Sequence, residues 1–208
     1  MPGKVVLASH NRAKLAELQR LVAAAGLPIE VVSLADFPES TPPAETGRTF
    51  AENALIKARA AAAWTGLTAL ADDSGIEVEV LGGMPGVRSA RWAGAEQDDQ
   101  RNLDLLLAQV DDVPAPARRA RFVCVMAHVD PDGTEFTTEG IWPGTLATAP
   151  RGTNGFGYDP IFVPDGDDRT SAELSPEEKD AQSHRARAVA KMLAAMSSRT
   201  GNTGEQTT

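Results

Sequence analysis

The chain has 208 residues, of which 42% are hydrophobic and 24% charged, ordinary values for a water-soluble globular protein. The formal net charge of −9 argues against a broad electrostatic surface for nucleic acid, and the single cysteine, Cys124, excludes a disulfide framework. Because no apolar run has the length of a signal-peptide core or a membrane span, we expect a cytoplasmic protein that binds neither nucleic acid nor membrane.

The N-terminal region predicts a strand, a polar turn and a helix. Residues 5–8 are apolar, and leucines recur at helical spacing from Leu15 until Gly26. Between them lie Ser9-His10-Asn11-Arg12-Ala13-Lys14. This order directs backbone N–H groups and the positive end of a helix toward one spot, where Lys14 adds a charge suited to phosphate. The glycine spacing of a P-loop is missing, so a plain helix cap explains the segment equally well.

A second strand is predicted at residues 29–34, followed by a proline-rich loop and a helix. Thr49 and Glu52 have the form of a capping box that opens an alanine-rich helix reaching about Trp64. The cap gives Glu52 a structural role. Glu45, in the preceding loop, is either a solvated acid or an acid that reaches a metal.

Two adjacent carboxylates, Asp72 and Asp73, follow a short apolar run and precede Ser74 and Gly75. Because alternation resumes over residues 76–80, we predict a strand, a turn and a second strand. Carboxylates at a strand end can hold a hard cation, or one of them can act as a base beside it. The same residues also fit a turn with no further role.

The central part of the chain predicts an amphipathic helix over residues 97–110 and a strand over 121–129 that is apolar on both faces. A hairpin strand over 134–142 follows. Glycines then flank Phe156 and Tyr158, so the backbone can approach a ligand while an aromatic ring stacks on a planar base. A strand entry whose aromatics fill the core is the alternative.

A last helix is predicted from Ser175 to about Met196, opened by a capping box with proline at its first position. Its first half carries Lys179, His184 and Arg185, either as a solvated face or as donors to a ligand. We expect residues 1–197 to form a single domain and residues 198–208 to form a disordered tail.

Together, several motifs in one order resemble the inosine triphosphate pyrophosphatase family over about residues 4–196. The motifs are Ser9-His10-Asn11-Arg12-Ala13-Lys14, Glu45-Thr46-Gly47, Ala71-Asp72-Asp73-Ser74-Gly75, Phe156-Gly157-Tyr158-Asp159-Pro160 and Ser183-His184-Arg185. The resemblance implies an α/β, two-lobed ITPase-like fold with a central mixed, twisted sheet flanked by helices. It also implies a homodimer.

The activity implied by the resemblance is Mg²⁺-dependent hydrolysis of deaminated purine nucleoside triphosphates (dITP, ITP and XTP) to the monophosphate and pyrophosphate. Asp73 is then the proton acceptor and a metal ligand, with Glu45 as a further metal-site acid. The implied substrate-binding residues are Ser9, His10, Asn11, Arg12, Ala13, Lys14, Ser74, Phe156, Gly157, Tyr158, Asp159, Lys179, His184 and Arg185. A pyrophosphatase for other modified nucleotides and a nucleotide sensor without hydrolysis are the alternatives.

Overall fold

The computed structural model describes residues 3–9, 12–38 and 41–202. It contains a six-stranded sheet in the order β2-β1-β3-β4-β5-β6. The strands are β1 Gly3–Leu7, β2 Ile29–Ser33, β3 Thr68–Val78, β4 Arg119–Val129, β5 Glu135–Leu146 and β6 Phe162–Pro164. Since β1 pairs in parallel with β2 and β3, whereas β5 and β6 are antiparallel, the sheet is mixed. The predicted α/β fold with a mixed sheet is confirmed.

The α-helices of the described ranges lie between and after these strands. They are α1 Arg12–Ala24, α2 Phe50–Thr65, α3 Asp99–Gln109, α4 Pro176–Gln182 and α5 His184–Asn202. The predicted capping box of α2 forms, with Thr49 Oγ1 accepting from the Glu52 backbone N–H at 3.2 Å. None of the helices in these ranges combines the length and the apolar character that crossing a bilayer requires.

The chain divides into two compact units. The first comprises the residues up to Asp73, Val125–Gly140 and the residues from Ala186 onward, and the second comprises Ser74–Cys124 and Ile141–Arg185. Strands β3, β4 and β5 each contribute residues to both units. Whether residues 1–197 behave as one domain stays a prediction.

The first unit is built around small side chains. Alanines of α2 at positions 54, 58, 61 and 62 pack with Val6 of β1 and with Ala69 and Ala71 of β3. Because alanine has a small side chain, α2 can pack closely against the sheet. Longer side chains of α2 can then extend beyond these alanines toward neighbouring parts of the unit. This packing sets the position of α2 relative to β3.

The second unit has a core of larger side chains, among them Ile76, Leu106, Trp142 and Phe162. The predicted apolar stripe of α3 is confirmed, since Leu103 and Leu106 are buried and Leu107 packs against the same core. Val110, the C-cap residue of this helix, is buried as well. That helix begins at Asp99 rather than at Gln97. Asp98 supplies its N-cap by accepting from the Arg101 N–H at 3.0 Å.

The predicted turn at Asp72 to Gly75 is wrong, because these residues lie inside the continuous strand β3. Asx and Ser side chains make turns by bonding to their own backbone, but both aspartates here bond to lysines elsewhere in the chain. Gly75 serves close packing: a Cβ atom there would lie 2.3 Å from Ser89 Oγ. That hydroxyl accepts the Ile76 backbone N–H at 2.9 Å.

The last predicted helix is interrupted at Ser183, whose extended backbone (φ −64°, ψ 160°) ends α4 before α5 begins. The sequence has no proline or glycine at this break, and the helical spacing of apolar residues does not mark it. Neither signal therefore predicted the end of α4. Helix α5 extends to Asn202, beyond the predicted end at Met196. Residues 198–202, expected in the tail, are therefore helical, and residues 203–208 lie outside the described ranges.

Candidate active site

The first unit gathers two carboxylates around one ammonium group. Lys57 Nζ, on α2, donates to Glu45 Oε1 at 2.9 Å and to Asp73 Oδ1 at 3.0 Å. Since both carboxylates share this donor, the loop acid Glu45 and the strand acid Asp73 lie close together. The side chains of Lys57 and Asp73 are mostly buried, so their charges are weakly screened.

Asn53, one helical turn before Lys57, bonds the other oxygen of the same aspartate. Its Nδ2 donates to Asp73 Oδ2 at 3.1 Å, and its Oδ1 accepts from the Gly47 backbone N–H at 2.8 Å. Residues four apart on a helix share a face, which explains how α2 supplies both donors. A carboxylate has about four lone-pair sites. Asp73 therefore keeps acceptor capacity beyond the bonds to Lys57 and Asn53.

The surroundings shift the pKa values of both members of this ion pair. Burial is the largest influence on Asp73 and raises its pKa, and the charge of Glu45 adds to that effect. The charge and hydrogen bond of Lys57 act in the opposite direction, yet the pKa of Asp73 stays above the ordinary 3.8. Burial lowers the pKa of Lys57, but its acidic neighbours, led by Asp73, outweigh burial and raise it above 10.5. Asp73 is thus a poorly solvated carboxylate with increased proton affinity, which suits a general base.

A second ion pair lies in the same unit. Lys14 Nζ, on α1, donates to Asp72 Oδ1 at 3.0 Å and Oδ2 at 2.8 Å. The Asp72 side chain is only 5% exposed, so this carboxylate depends on its partners for the solvation it has lost. Lys14 was predicted to contact phosphate, and the structure adds a carboxylate partner that the sequence did not indicate.

The rest of the predicted phosphate segment is only partly described. Ser9 follows β1 and donates its backbone N–H to the Leu7 carbonyl at 2.8 Å, while Arg12 and Ala13 open α1. The Ala8 N–H donates to the Leu70 carbonyl at 2.7 Å and so continues the pairing of β1 with β3. His10 and Asn11 lie outside the described residues.

A cavity of about 110 Å³ lies in the second unit. It is lined by every predicted substrate-binding residue of that unit: Ser74, Phe156, Gly157, Tyr158, Asp159, Lys179, His184 and Arg185. Sites that enclose a whole drug-sized ligand measure roughly 300–1,000 Å³. The cavity can therefore enclose only a part of a nucleotide, such as its base.

A buried carboxylate organises one wall of this cavity. Asp159 Oδ2 accepts from the Phe156 backbone N–H at 2.9 Å and from Lys179 Nζ, and Asp159 Oδ1 accepts from Ser171 Oγ at 2.7 Å. Lys179 Nζ also lies 5.9 Å from the centroid of the Phe156 ring. Phe156 is 54% exposed, so its ring has a face open to a ligand.

The other aromatic residues of the cavity are held in the core. Tyr158 is buried and donates its hydroxyl to the Ser89 carbonyl at 2.8 Å, and burial raises its pKa. The His184 ring stacks on Phe122 with centroids 4.8 Å apart and rings inclined by 12°. Of the two rings that the sequence offered as a stacking surface, Phe156 is therefore the suitable one, and Tyr158 fixes the position of the cavity wall.

Arg185 and Ser74 complete this wall of the cavity. Arg185 Nη2 donates to Ser74 Oγ at 3.4 Å. Asp73 belongs to the group of Glu45, Asp73 and Lys57 in the first unit, which we call the acid cluster. Ser74, the next residue of β3, lines the cavity of the second unit.

A divalent cation fits the donor set of the acid cluster. Within the described ranges, no group of three or more His, Cys, Asp or Glu side chains has a metal-binding arrangement. Mg²⁺ requires no such cage, because it is commonly bound by one or two carboxylates together with waters and substrate phosphates. Glu45 and Asp73 supply two such carboxylates, already held close together by Lys57.

Comparison with known proteins identifies the family. A sequence model of the Ham1 family matches residues 5–195. The chain belongs to the Ham1 family. A relative from Corynebacterium efficiens, named dITP/XTP pyrophosphatase, is 56% identical over 205 residues that span 95% of this chain and 99% of the relative. One of the same name from Frankia alni is 59% identical over 187 residues, covering 88% and 91% of the two chains.

Solved structures agree with this assignment to the Ham1 family. The crystal structure of a nucleoside-triphosphatase / dITP/XTP pyrophosphatase from Mycobacterium abscessus is 54% identical, with a TM-score of 0.78 over 93% of this chain and 99% of the other. A HAM1 protein from Coxiella burnetii is 42% identical, with a TM-score of 0.85 over 94% and 99%. The family resemblance drawn from the sequence is confirmed.

Three side chains that bond the predicted site residues were not themselves among the predicted functional residues. Asn53 and Lys57 lie four apart in the sequence of the predicted helix and so share one of its faces, but neither this pair nor Asp99 carries a recognisable functional motif. The structure places Lys57 and Asn53 on Asp73, and Asp99 Oδ2 accepts from the Gly157 N–H at 3.1 Å at the cavity. The signal available in the sequence was the i, i+4 pair of polar residues within an otherwise alanine-rich helix.

Proposed function

We propose that this protein hydrolyses the deaminated purine nucleoside triphosphates dITP, XTP and ITP to the monophosphate and pyrophosphate. The observation that carries the proposal is the 54–59% identity, over nearly the whole chain, to relatives named dITP/XTP pyrophosphatase. The acid cluster of the first unit supplies carboxylates for proton transfer and metal binding, and the cavity of the second unit is of a size to bind a purine base.

Asp73 is the proposed general base. Water is a weak nucleophile until a group removes part of its proton, and a carboxylate whose pKa is raised by burial holds that proton better than an exposed one. Asn53 and Lys57 orient the Asp73 carboxylate through hydrogen bonds to its two oxygens. Attack at the phosphorus nearest the nucleoside then releases pyrophosphate and leaves the monophosphate.

The phosphates are assigned to basic and polar residues of the first unit. A triphosphate brings several negative charges to a protein of net charge −9, so local positive charge is required. Lys14, at the first turn of α1, and Lys57 supply ammonium groups, and Ser9 supplies a hydroxyl. We also assign His10, Asn11, Arg12 and Ala13 to this segment, from the sequence resemblance.

Mg²⁺ is the proposed cofactor, held by Asp73 and Glu45. When bound, it supplies positive charge that neutralises phosphate oxygens and the departing pyrophosphate. The support for this assignment is the pair of neighbouring carboxylates in a mostly buried setting.

The base is assigned to the cavity of the second unit. Phe156 offers a ring face for stacking, with Gly157, Tyr158 and Asp159 forming the adjoining wall and Ser74 contacting substrate. Hypoxanthine and xanthine have a carbonyl oxygen at C6, whereas adenine has an amino group. Donors of Lys179, His184 and Arg185 at this cavity suit a carbonyl, and would face an amino group without making a hydrogen bond.

The energetic effect of such donors sets the expected selectivity. A buried donor without its acceptor costs about 1–3 kcal/mol. Two donors that bind the C6 carbonyl therefore discriminate against adenine by a factor on the order of a hundred.

Family resemblance also leads us to propose a homodimer, which light scattering of the purified protein tests directly.

The experiment that tests the proposed function is a turnover panel with dITP, XTP, dGTP and dATP in the presence of Mg²⁺. We expect the highest kcat/KM for dITP and XTP, with the nucleoside monophosphate and pyrophosphate as products. Equal rates on the whole panel would contradict the selectivity. Binding of dITP without release of pyrophosphate would show a nucleotide sensor instead.

A further inference from the structure

A completely buried amide lies beneath the acid cluster. Asn53 has 0% of its surface exposed, although asparagine is a poorer helix former than the alanines around it. Its two hydrogen bonds run to parts of the chain outside α2, namely to Asp73 of β3 and to the backbone of Gly47. The Asn53 side chain thus bonds both strand β3 and the loop that carries Glu45.

Capping of α2 does not account for Asn53. The N-terminal N–H groups of the helix are served by the capping box of Thr49 and Glu52, and Asn53 lies one position further along. Burying an amide is costly unless its polar atoms find partners. The partners that offset this cost are the Asp73 carboxylate and the Gly47 backbone N–H. Asn53 therefore constrains both, in addition to the bonds that Lys57 makes to Asp73 and Glu45.

Gly47 is fitted to the same contact. A Cβ atom at this position would lie 2.6 Å from Asn53 Oδ1 and 2.9 Å from its backbone nitrogen. Real Cβ atoms do not approach that closely, so any other residue at position 47 would push the loop away from Asn53. The loop has no regular secondary structure between residues 41 and 47, which leaves the bond to Asn53 as a defined anchor two residues from Glu45.

We propose that Asn53 is a positioning residue that fixes the Asp73 carboxylate and the Glu45 loop relative to each other. This inference rests on the proposed function, in which the two acids act together. One amide bonds both elements, so displacing it changes the orientation of the base and the spacing of the two carboxylates at once. A misplacement of about 1 Å in a catalytic constellation can reduce the rate on the order of a hundredfold.

The test compares kcat and KM for dITP in four variants. Asn53→Ala removes both hydrogen bonds, and Asn53→Asp keeps an acceptor for the Gly47 N–H while its carboxylate cannot donate to Asp73. Gly47→Ala separates the loop from an intact Asn53. Thr49→Ala is the matched control, because it weakens the same helix by removing its N-cap without touching Asp73.

We expect kcat to fall on the order of a hundredfold in both Asn53 variants, with KM within threefold of wild type. Gly47→Ala is expected to lower kcat as well. Thr49→Ala should lower the melting temperature but leave kcat within twofold when all assays are run well below the lowest melting temperature. Near-wild-type kcat in Asn53→Asp, or an equal loss of kcat in Thr49→Ala, would overturn the proposal.

A structural readout separates this proposal from the proposed function. A crystal structure of Asn53→Ala is expected to show a rotated Asp73 carboxylate and a displaced loop at residues 45–47. Unchanged positions of both would overturn the positioning role, whatever the activity. If wild-type protein releases no pyrophosphate from dITP, the proposed function fails, while the crystal structure still decides whether Asn53 sets these positions.

Discussion

Lys57 Nζ lies 3.0 Å from Asp73 Oδ1 and at the same time 2.9 Å from Glu45 Oε1. Two carboxylates brought this close would repel each other and take up protons if no cation lay between them. The ammonium group of Lys57 therefore allows a proposed base and a proposed metal ligand to be neighbours.

Replacement of Asp73 by asparagine keeps the size of the side chain but removes its ability to accept a proton. We expect Asp73→Asn to lower kcat for dITP by about 100- to 10,000-fold, the usual contribution of a positioned general base. Nucleotide binding, measured by calorimetry on the inactive variant, should be largely retained. Glu77→Gln is the control, since Glu77 lies on the same strand but bonds Arg121. Wild-type turnover by Asp73→Asn would exclude Asp73 as the base.

Lys57→Met should move the acid limb of the pH–kcat/KM profile to higher pH. Burial raises the pKa of Asp73, and Lys57 opposes this effect through its charge and its hydrogen bond. Without Lys57 the pKa of Asp73 rises further, and because only the ionised carboxylate can accept a proton, activity requires a higher pH. Lys191→Met, which removes a lysine bonded to the Glu139 carbonyl, is the control. A limb that stays in place or moves to lower pH would contradict the ion pair.

Lys14→Met should both weaken substrate binding and destabilise the fold. Asp72 would lose two hydrogen bonds from Lys14 while buried, which costs about 1–3 kcal/mol in the free energy of unfolding. The double variant Lys14→Met/Asp72→Asn should recover part of that stability but keep the raised KM, because the phosphate-binding charge is still missing.

The control for Lys14 is Lys4→Met. Lys4 lies 3.8 Å from Glu30 in an exposed pair, which contributes about 0–1 kcal/mol. Chemical denaturation and steady-state kinetics measure the two effects. An unchanged KM in Lys14→Met would show that Lys14 has a structural role only.

Phe156→Ala should raise KM with little loss of stability. Stacking of a base on an aromatic ring contributes about 1–3 kcal/mol, while a ring that is 54% exposed adds little to the core. Trp64, which is 49% exposed on α2, provides a control aromatic in the first unit. If Trp64→Ala and Phe156→Ala change KM equally, or if neither does, Phe156 does not stack on the base.

Much of the fold could be predicted from local chemistry. The capping boxes of Thr49 and Ser175 placed the starts of α2 and α4, and apolar runs or apolar alternation placed strands β1 to β5, whereas the short strand β6 was not predicted. These signals are reliable because they depend on neighbours in the sequence. Residues from five separate motifs resembled one family, and the family match confirms that resemblance.

The errors came from contacts between residues far apart in the chain. Asp72 and Asp73 have the composition of a turn, but lysines 58 and 16 positions away bond their carboxylates and leave the strand intact. The break at Ser183 follows no local signal. Asn53 and Lys57 showed only a shared helix face in the sequence, and their common target on β3 emerged once α2 was packed against the sheet.

The most direct test of the account is hydrolysis of dITP in ¹⁸O-labelled water by the wild-type protein with Mg²⁺. Attack on the phosphorus nearest the nucleoside predicts one labelled oxygen in dIMP and unlabelled pyrophosphate. Label found in pyrophosphate, or release of orthophosphate in place of pyrophosphate, would contradict it.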